Sequence, residues 1–160
     1  MGLEIERRFK LSGMPMGLDI LRMKMIEQQY LVNGIEKVRI RKSTDTQVSS
    51  YELTVKNGIG MAKEENNLVI NSTTYQELAK LSKFKPLEKI RYEVEYYGNI
   101  IEIDRFFHDA DLVIAEVEFK TEQQANDFIP PEWFGQEITR KSQYSSNNIW
   151  KSLNGVEEQG

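Results

Sequence analysis

The chain contains no cysteine, which excludes disulfide cross-links, thiolate nucleophiles and zinc–sulfur centres together. Its single histidine, His108, rules out a histidine-based triad and a multi-histidine metal site. His108 itself falls in a turn signal and reads as an ordinary loop residue. No apolar run is long enough to cross a bilayer, and no stretch has the layout of a signal peptide, so a cytoplasmic protein is expected. The net charge of −4 gives no general pull toward nucleic acid or an anionic membrane, and neither is expected as a partner. Gly58-Ile59-Gly60 is not a phosphate-cradling loop, because no helix and no Lys-Ser pair follow it. Internal repeats and low-complexity segments are missing as well.

What is present fits one globular domain. A chain of 160 residues is long enough to bury a real core. Hydrophobic residues make up 39% and charged residues 29%, the balance of a folded chain rather than a disordered one. A single domain over 1–155 is expected, with 156–160 as a frayed tail.

The strongest pattern is alternation. Leu3, Ile5, Arg7 and Phe9 share one face of a first strand, and Glu4, Glu6, Arg8 and Lys10 share the other. At strand rise Glu4 and Glu6 lie about 7 Å apart, close enough to converge on a cation. The same alternation recurs. Val38 and Ile40 oppose Arg39 and Arg41, and Leu53 and Val55 oppose Glu52, Thr54 and Lys56. Further strands follow at 61–71, 87–97, 100–107 and 112–121, setting Lys63, Glu65 and Asn67, Lys89 and Arg91, Glu102 and Asp104, and Glu116 and Glu118 against apolar partners. Asn33-Gly34 is a hairpin signal joining a strand at 28–32 to the next. Helices are expected around Leu18–Ile26, at 73–84 with a cap at Thr73 or Thr74, at 123–129, and at 144–153 with Ile149, Trp150 and Leu153 on its apolar side. Trp133 and Trp150 read as packing residues.

Eight strands with one charged and one apolar face allow two arrangements. The charged faces look at solvent, or they line an interior while helices cover the apolar faces. Cations collect on Arg39, Arg41, Lys56, Lys89 and Arg91, and acids on Glu4, Glu6, Glu102, Asp104, Glu116 and Glu118. A solvated surface mixes signs more evenly, whereas segregation suits a metal–polyanion complex.

Glu4-x-Glu6-x-Arg8 resembles the ExExK signature of the CYTH domain, or triphosphate tunnel metalloenzyme, family. Arg39-Ile40-Arg41 is similar to its RxR strand, and Glu52-Leu53-Thr54-Val55-Lys56 to its strand ending in a substrate lysine. Lys89-Ile90-Arg91, Glu102-Ile103-Asp104 and Glu116-Val117-Glu118 stand where its later charged strands stand, and Tyr144-Ser145-Ser146-Asn147 resembles a segment near the end of its short bacterial members. The resemblance runs from Glu4 to about Leu153, and the order of the motifs is more specific than any one of them.

The resemblance implies a mainly β fold, an eight-stranded antiparallel barrel with a charged interior and covering helices. It implies a triphosphate bound inside with Mg²⁺ or Mn²⁺. Glu4, Glu6, Glu116 and Glu118 would serve the metal, with Glu65 a further acidic position. Arg8, Arg39, Arg41, Lys56, Lys89 and Arg91 would hold phosphates, and Glu116, Glu118 and Arg8 would carry the chemistry. Hydrolysis of inorganic tripolyphosphate is the expected activity. A thiamine triphosphatase, a class IV-type adenylyl cyclase and a non-catalytic polyphosphate-binding module are the alternatives. The chain departs from the family at Arg8, where a lysine is usual, at Asn67, where a glutamate is expected, and in the charge order of Arg140-Lys141-Ser142-Gln143. Arginine supplies charge and a planar fork, but it accepts no proton near neutral pH.

Overall fold

The computed structural model describes residues 2–58 and 60–156. Its strands are β1 (Gly2–Leu11), β2 (Ile20–Asn33), β3 (Lys37–Asp45), β4 (Val48–Asn57), β5 (Ala62–Ile70), β6 (Leu87–Tyr96), β7 (Asn99–Phe106) and β8 (Val113–Phe119). Three helices, α1 (Ser72–Ala79), α2 (Glu122–Asp127) and α3 (Ser146–Leu153), and a 3-10 turn over Ser142–Tyr144 accompany them. All neighbouring strands are antiparallel, in the order β1-β5-β4-β3-β2-β6-β7-β8, and β8 pairs back onto β1. The closed sheet converts the period of two along each strand into inside and outside.

Register then decides which charges meet. Arg8 lies opposite Glu116 and Glu6 opposite Glu118. Arg39 faces Thr54, Lys56 faces Glu65, Arg91 faces Asp104, and Glu102 faces Glu116. The expected antiparallel barrel with charged walls is therefore the observed fold. The register of β6 and β7 is set by a two-residue loop, Tyr97-Gly98, with φ of 46° and 81°. Left-handed backbone at both positions matches the twist of the flanking strands. The Asn33-Gly34 hairpin also forms, but Asn33 pairs with Lys37, so the loop runs over residues 34–36.

Three expectations about local structure need correction. The apolar stretch around Leu18–Ile26 is no helix; from Ile20 onward it is the first part of β2. Its residues are adequate helix formers, but β6 pairs with it from Ile20 onward and β3 from Met25, and tertiary pairing overrides a weak propensity. The helix over 73–84 is shorter, and Asn71 caps it by accepting the Thr74 amide at 2.8 Å. Leu81 and Phe84 lie beyond its end and are exposed, whereas Tyr75 is the residue it buries. The helix expected at 123–129 is α2, capped by Thr121, and the last helix begins after the Ser145 cap. Residues 157–160 of the expected tail lie outside the described residues.

One hydrophobic cluster sits outside the barrel. Ile5, Val94, Ile101, Ile103, Val117 and Phe119 present the outer faces of β1 and β6–β8 to α2 and to Trp133 and Phe134. Cover is one-sided, because Met23, Met25 and Leu68 on the outer faces of β2 and β5 remain exposed. A second cluster joins Tyr30, Leu87, Phe106 and Ile114 to Ile138, Ile149 and Trp150. Those first four residues sit at the ends of β2, β6, β7 and β8 that share one rim, so the C-terminal segment closes that end. No helix among the described residues is long and apolar enough to cross a membrane.

Candidate active site

The inward faces form two walls of opposite character. Asp104, 1% exposed, anchors the cationic one. It accepts Arg91 Nε and Nη2 at 2.7 and 2.8 Å and Lys89 Nζ at 2.7 Å. Burial alone would raise the Asp104 pKa, but Arg91 and Lys89 outweigh it and hold the carboxyl below its usual value. Burial, reinforced by Arg91 and Arg41, pushes the Lys89 ammonium down to about 8 despite Asp104. Arg91 also donates to Glu102 at 2.9 Å and lies 3.5 Å from Glu116. Glu116 meets Arg8 Nε at 3.1 Å on its other side. Burial opposes the charge on Glu116, yet Arg8 and Arg91 keep its carboxyl far below the ordinary range.

Arg39 and Arg41 are cations of a different kind. Arg41 donates through Nε and Nη2 to the Gln28 carbonyl oxygen at 3.1 and 2.9 Å. Among the described residues no carboxylate forms an ion pair with it. Burial, with Arg39 and Arg91 nearby, pushes its guanidinium down to about 10. Arg39 donates to Thr54 at 3.1 Å, and its nearest acid, Glu52, is 3.9 Å away. Its Nε is buried without a partner. A buried positive charge without a counter-charge is costly, and an anion from solution would relieve it.

The acidic wall lies nearer the mouth. Lys56 Nζ is 2.6 Å from Glu4 and 3.6 Å from Glu65, and Lys63 is 3.3 Å from Glu6. Burial, Glu65 and Glu6 raise the Glu4 carboxyl, whereas Glu65 is held low against its own burial by the hydrogen bond with Glu4 and by Lys56. Glu118 is exposed, and burial of part of its carboxyl beside Glu6 and Glu65 raises it as well. A cavity of about 810 Å³ opens beside Glu118, lined also by Glu93, Glu102, Lys120, Asp127 and Phe128 and not by Glu4, Glu6 or Glu65.

Every residue expected at the site faces the same interior, but they divide. Glu4, Glu6, Glu65 and Glu118 make the acidic wall. Arg8, Arg39, Arg41, Lys89 and Arg91 make the cationic one, Lys56 bridges the two, and Glu116 sits among the cations. Among the described residues no three acidic or histidine side chains already stand at metal-binding distance. The donor chemistry nonetheless fits a hard divalent cation. Glu4 Oε1 and Glu65 Oε2 are buried without a well-aligned hydrogen bond and converge on Lys56 Nζ at 2.6 and 3.6 Å, so the ammonium occupies the place of a positive charge.

Asp104, Gln28, Thr54 and Asn67 were not assigned to the site from the sequence. Thr54 donates to Asn67 at 2.6 Å and Asn67 to Glu65 at 2.9 Å, so the asparagine links the two walls. Asp104 was open to discovery: counting back along both strands from the Tyr97-Gly98 loop sets it opposite Arg91. Gln28 begins the strand expected at 28–32, and only the pairing of that strand with β3, which sets it opposite Arg41, gives it a role.

A search for family models finds no match. Whole-chain comparison does. The chain is 32% identical over 152 residues to an inorganic triphosphatase of Nitrosomonas europaea, covering 94% of this chain and 98% of that protein. The chain belongs to the inorganic triphosphatase family. A second inorganic triphosphatase, from Acetivibrio thermocellus, is 32% identical over 156 residues, covering 95% and 96% of the two chains. A crystal structure of an inorganic triphosphatase matches at a TM-score of 0.67 with 30% identity, over 97% of this chain and 99% of that one. A Pyrococcus horikoshii protein, 17% identical at a TM-score of 0.60 over 97% of this chain and 92% of that one, shares the fold.

Proposed function

We propose that this member of the family hydrolyses a triphosphate inside the barrel, with inorganic tripolyphosphate as its first substrate, and that the barrel is a triphosphate tunnel of the CYTH type. The observation that carries this reading is the pair Arg39, buried, and Arg41, half-buried, which face the interior with no carboxylate among the described residues nearer than Glu52 at 3.9 Å from Arg39. A polyanion supplies the missing counter-charge, and Lys56, Lys89 and Arg91 extend the cationic track beside them.

The residues that would hold Mg²⁺ or Mn²⁺ are Glu4, Glu6 and Glu65, whereas Glu116 is engaged by Arg8 and Arg91. When bound, the ion would neutralise charge on phosphate oxygens. The chain's own residues do the rest. Arg39, Arg41 and Arg91 grip and orient the phosphates, and their charge is worth more because water is largely excluded. One water adds to a phosphorus, one P–O–P bridge breaks, and one proton is released as two phosphate products form. Glu118 is better suited than Glu116 to receive that proton. Its carboxyl is raised and free, while Glu116 is held ionised by two arginines.

The test is phosphate release from tripolyphosphate, thiamine triphosphate and ATP, each with Mg²⁺ and with Mn²⁺. Tripolyphosphate should give the highest kcat/KM, and Glu118→Gln should lower kcat by about 10²-fold, within the usual range for general-base removal. Cyclic AMP formed from ATP would identify a cyclase instead. Tight binding of tripolyphosphate without phosphate release would identify a binding module.

A pH dependence follows from Lys89. Its charge is lost as pH rises through about 8, so its contribution to anion binding is present below that value and absent above it. The kcat/KM for tripolyphosphate should therefore fall above pH 8. In Lys89→Arg the decline should shift upward by more than one pH unit, because arginine stays charged. An unchanged pH profile in that variant would remove Lys89 from substrate binding.

A further inference from the structure

The substrate wall and the closed end of the tunnel are joined by one side chain. Arg8 uses Nε to donate to Glu116 Oε1 at 3.1 Å and Nη1 to donate to the backbone carbonyl of Tyr144 at 2.7 Å. Tyr144 ends the 3-10 turn that leads into α3 and belongs to the cluster sealing that end. The strand carrying Arg8 also holds the segment before this turn. Ile138 donates its amide to the Arg8 carbonyl at 2.8 Å, and Arg8 donates its own amide to Thr139 Oγ1 at 3.0 Å. From Glu116 the chain of charged contacts continues to Arg91 at 3.5 Å, then to Asp104 and Lys89.

We infer that Arg8 is a positioning residue, tying the seating of residues 138–153 to the alignment of Glu116 and Arg91 on the substrate wall. The inference rests on the triphosphatase reading for its kinetic part alone. Its physical basis is the shape of the guanidinium. Nε and Nη1 diverge from one rigid plane, so a single side chain holds a carboxylate and a carbonyl at once. A lysine has all its donors on one nitrogen at the end of a flexible stem, so it holds two partners only where both converge on that one atom. Arg8 is also almost wholly buried beside Glu116 and Glu6, whose charges hold its proton firmly against the cost of burial. Its role is therefore fixed geometry, not proton transfer. Lys10, two residues on, places its ammonium 5.5 Å over the Tyr144 ring, a second contact between the same strand and the same turn.

The experiment compares wild type, Arg8→Lys, Ile149→Ala and the double variant. Amide hydrogen exchange is followed in the ligand-free protein, and kcat and KM are measured with tripolyphosphate. In Arg8→Lys the amides of Ser145 and Ile149, which bond to Ser142 and Ser145 carbonyls, should exchange roughly tenfold faster, as expected for one lost charge-assisted hydrogen bond in a locally opening segment. Amides in β6 should keep their rates, which shows that the barrel remains folded. The kcat should fall about tenfold or more while KM changes by less than about threefold, since binding cations remain in place. Loosening the seat with Ile149→Ala should also lower kcat, and the double variant should lose less than the product of the two single losses.

Unchanged exchange over 142–153 in Arg8→Lys overturns the tie. Faster exchange with unchanged kcat overturns its link to the substrate wall, and so do strictly multiplicative kinetic losses. If wild type releases no phosphate from any triphosphate, the proposed activity falls, and the exchange measurement alone upholds or overturns the tie.

Discussion

Asp104→Asn is expected to destabilise the protein by about 3–5 kcal/mol, the cost of breaking a buried ion pair from one side. The substitution keeps the shape of the side chain and removes its charge. Lys89, 1% exposed, then loses the carboxylate bonded to it at 2.7 Å, and Arg91 keeps at most one oxygen acceptor of the two it has now. For a chain of this length the midpoint of thermal unfolding should drop by roughly 10 °C. Tripolyphosphate should restore part of the loss, because a bound polyanion returns negative charge to the same wall and stabilises the folded state by mass action. Thermal melts with and without tripolyphosphate measure both effects. A midpoint within about 2 °C of wild type would mean that Lys89 and Arg91 do not depend on Asp104. A normal drop without rescue would mean that the anion sits elsewhere.

The second large effect has the opposite sign on stability. Arg41→Met should leave the melting midpoint unchanged or raise it, while kcat/KM for tripolyphosphate falls by about 10²–10³-fold, the scale seen when one preorganised charge donor is removed from a reacting site. Arg41 is half-buried against Gln28, with Arg39 and Arg91 as like-charged neighbours. In the ligand-free protein this arrangement costs stability, and an unbranched apolar side chain relieves it. Substrate reverses the balance, because phosphate oxygens complete the arginine's bonds. Paired unfolding and phosphate-release measurements decide the matter. A variant that melts several degrees lower and keeps its activity would show that Arg41 supports the barrel and does not serve the anion.

These two residues show why parts of the site were legible and others were not. Arg41 was named from sequence because Arg39-Ile40-Arg41 puts two cations on one face of a strand. Its lack of a close counter-charge depends on what the neighbouring strands β2 and β4 place beside it, and no local pattern reports that. Asp104 was seen as one of several acids. Its central position comes from the register of a single hairpin, set by left-handed backbone at Tyr97 and Gly98. Glu116 and Glu118 looked equivalent because they are two residues apart on one strand. The barrel sends one toward Arg8 and Arg91 and the other toward the mouth.

The sequence by itself determined the strands and their two faces, because a period of two fixes side-chain direction regardless of what lies around the strand. It also determined the residue types at the site, and it excluded thiolate and histidine chemistry through composition. Tertiary structure alone decided that the charged faces point inward. It made β2 a long strand where local apolar spacing suggested a helix. It also split one set of acids between a mouth-side wall and the grip of two arginines. The reason is common to all three. Each outcome depends on pairing between strands remote in sequence, and closure of the eight-stranded sheet is what fixes that pairing.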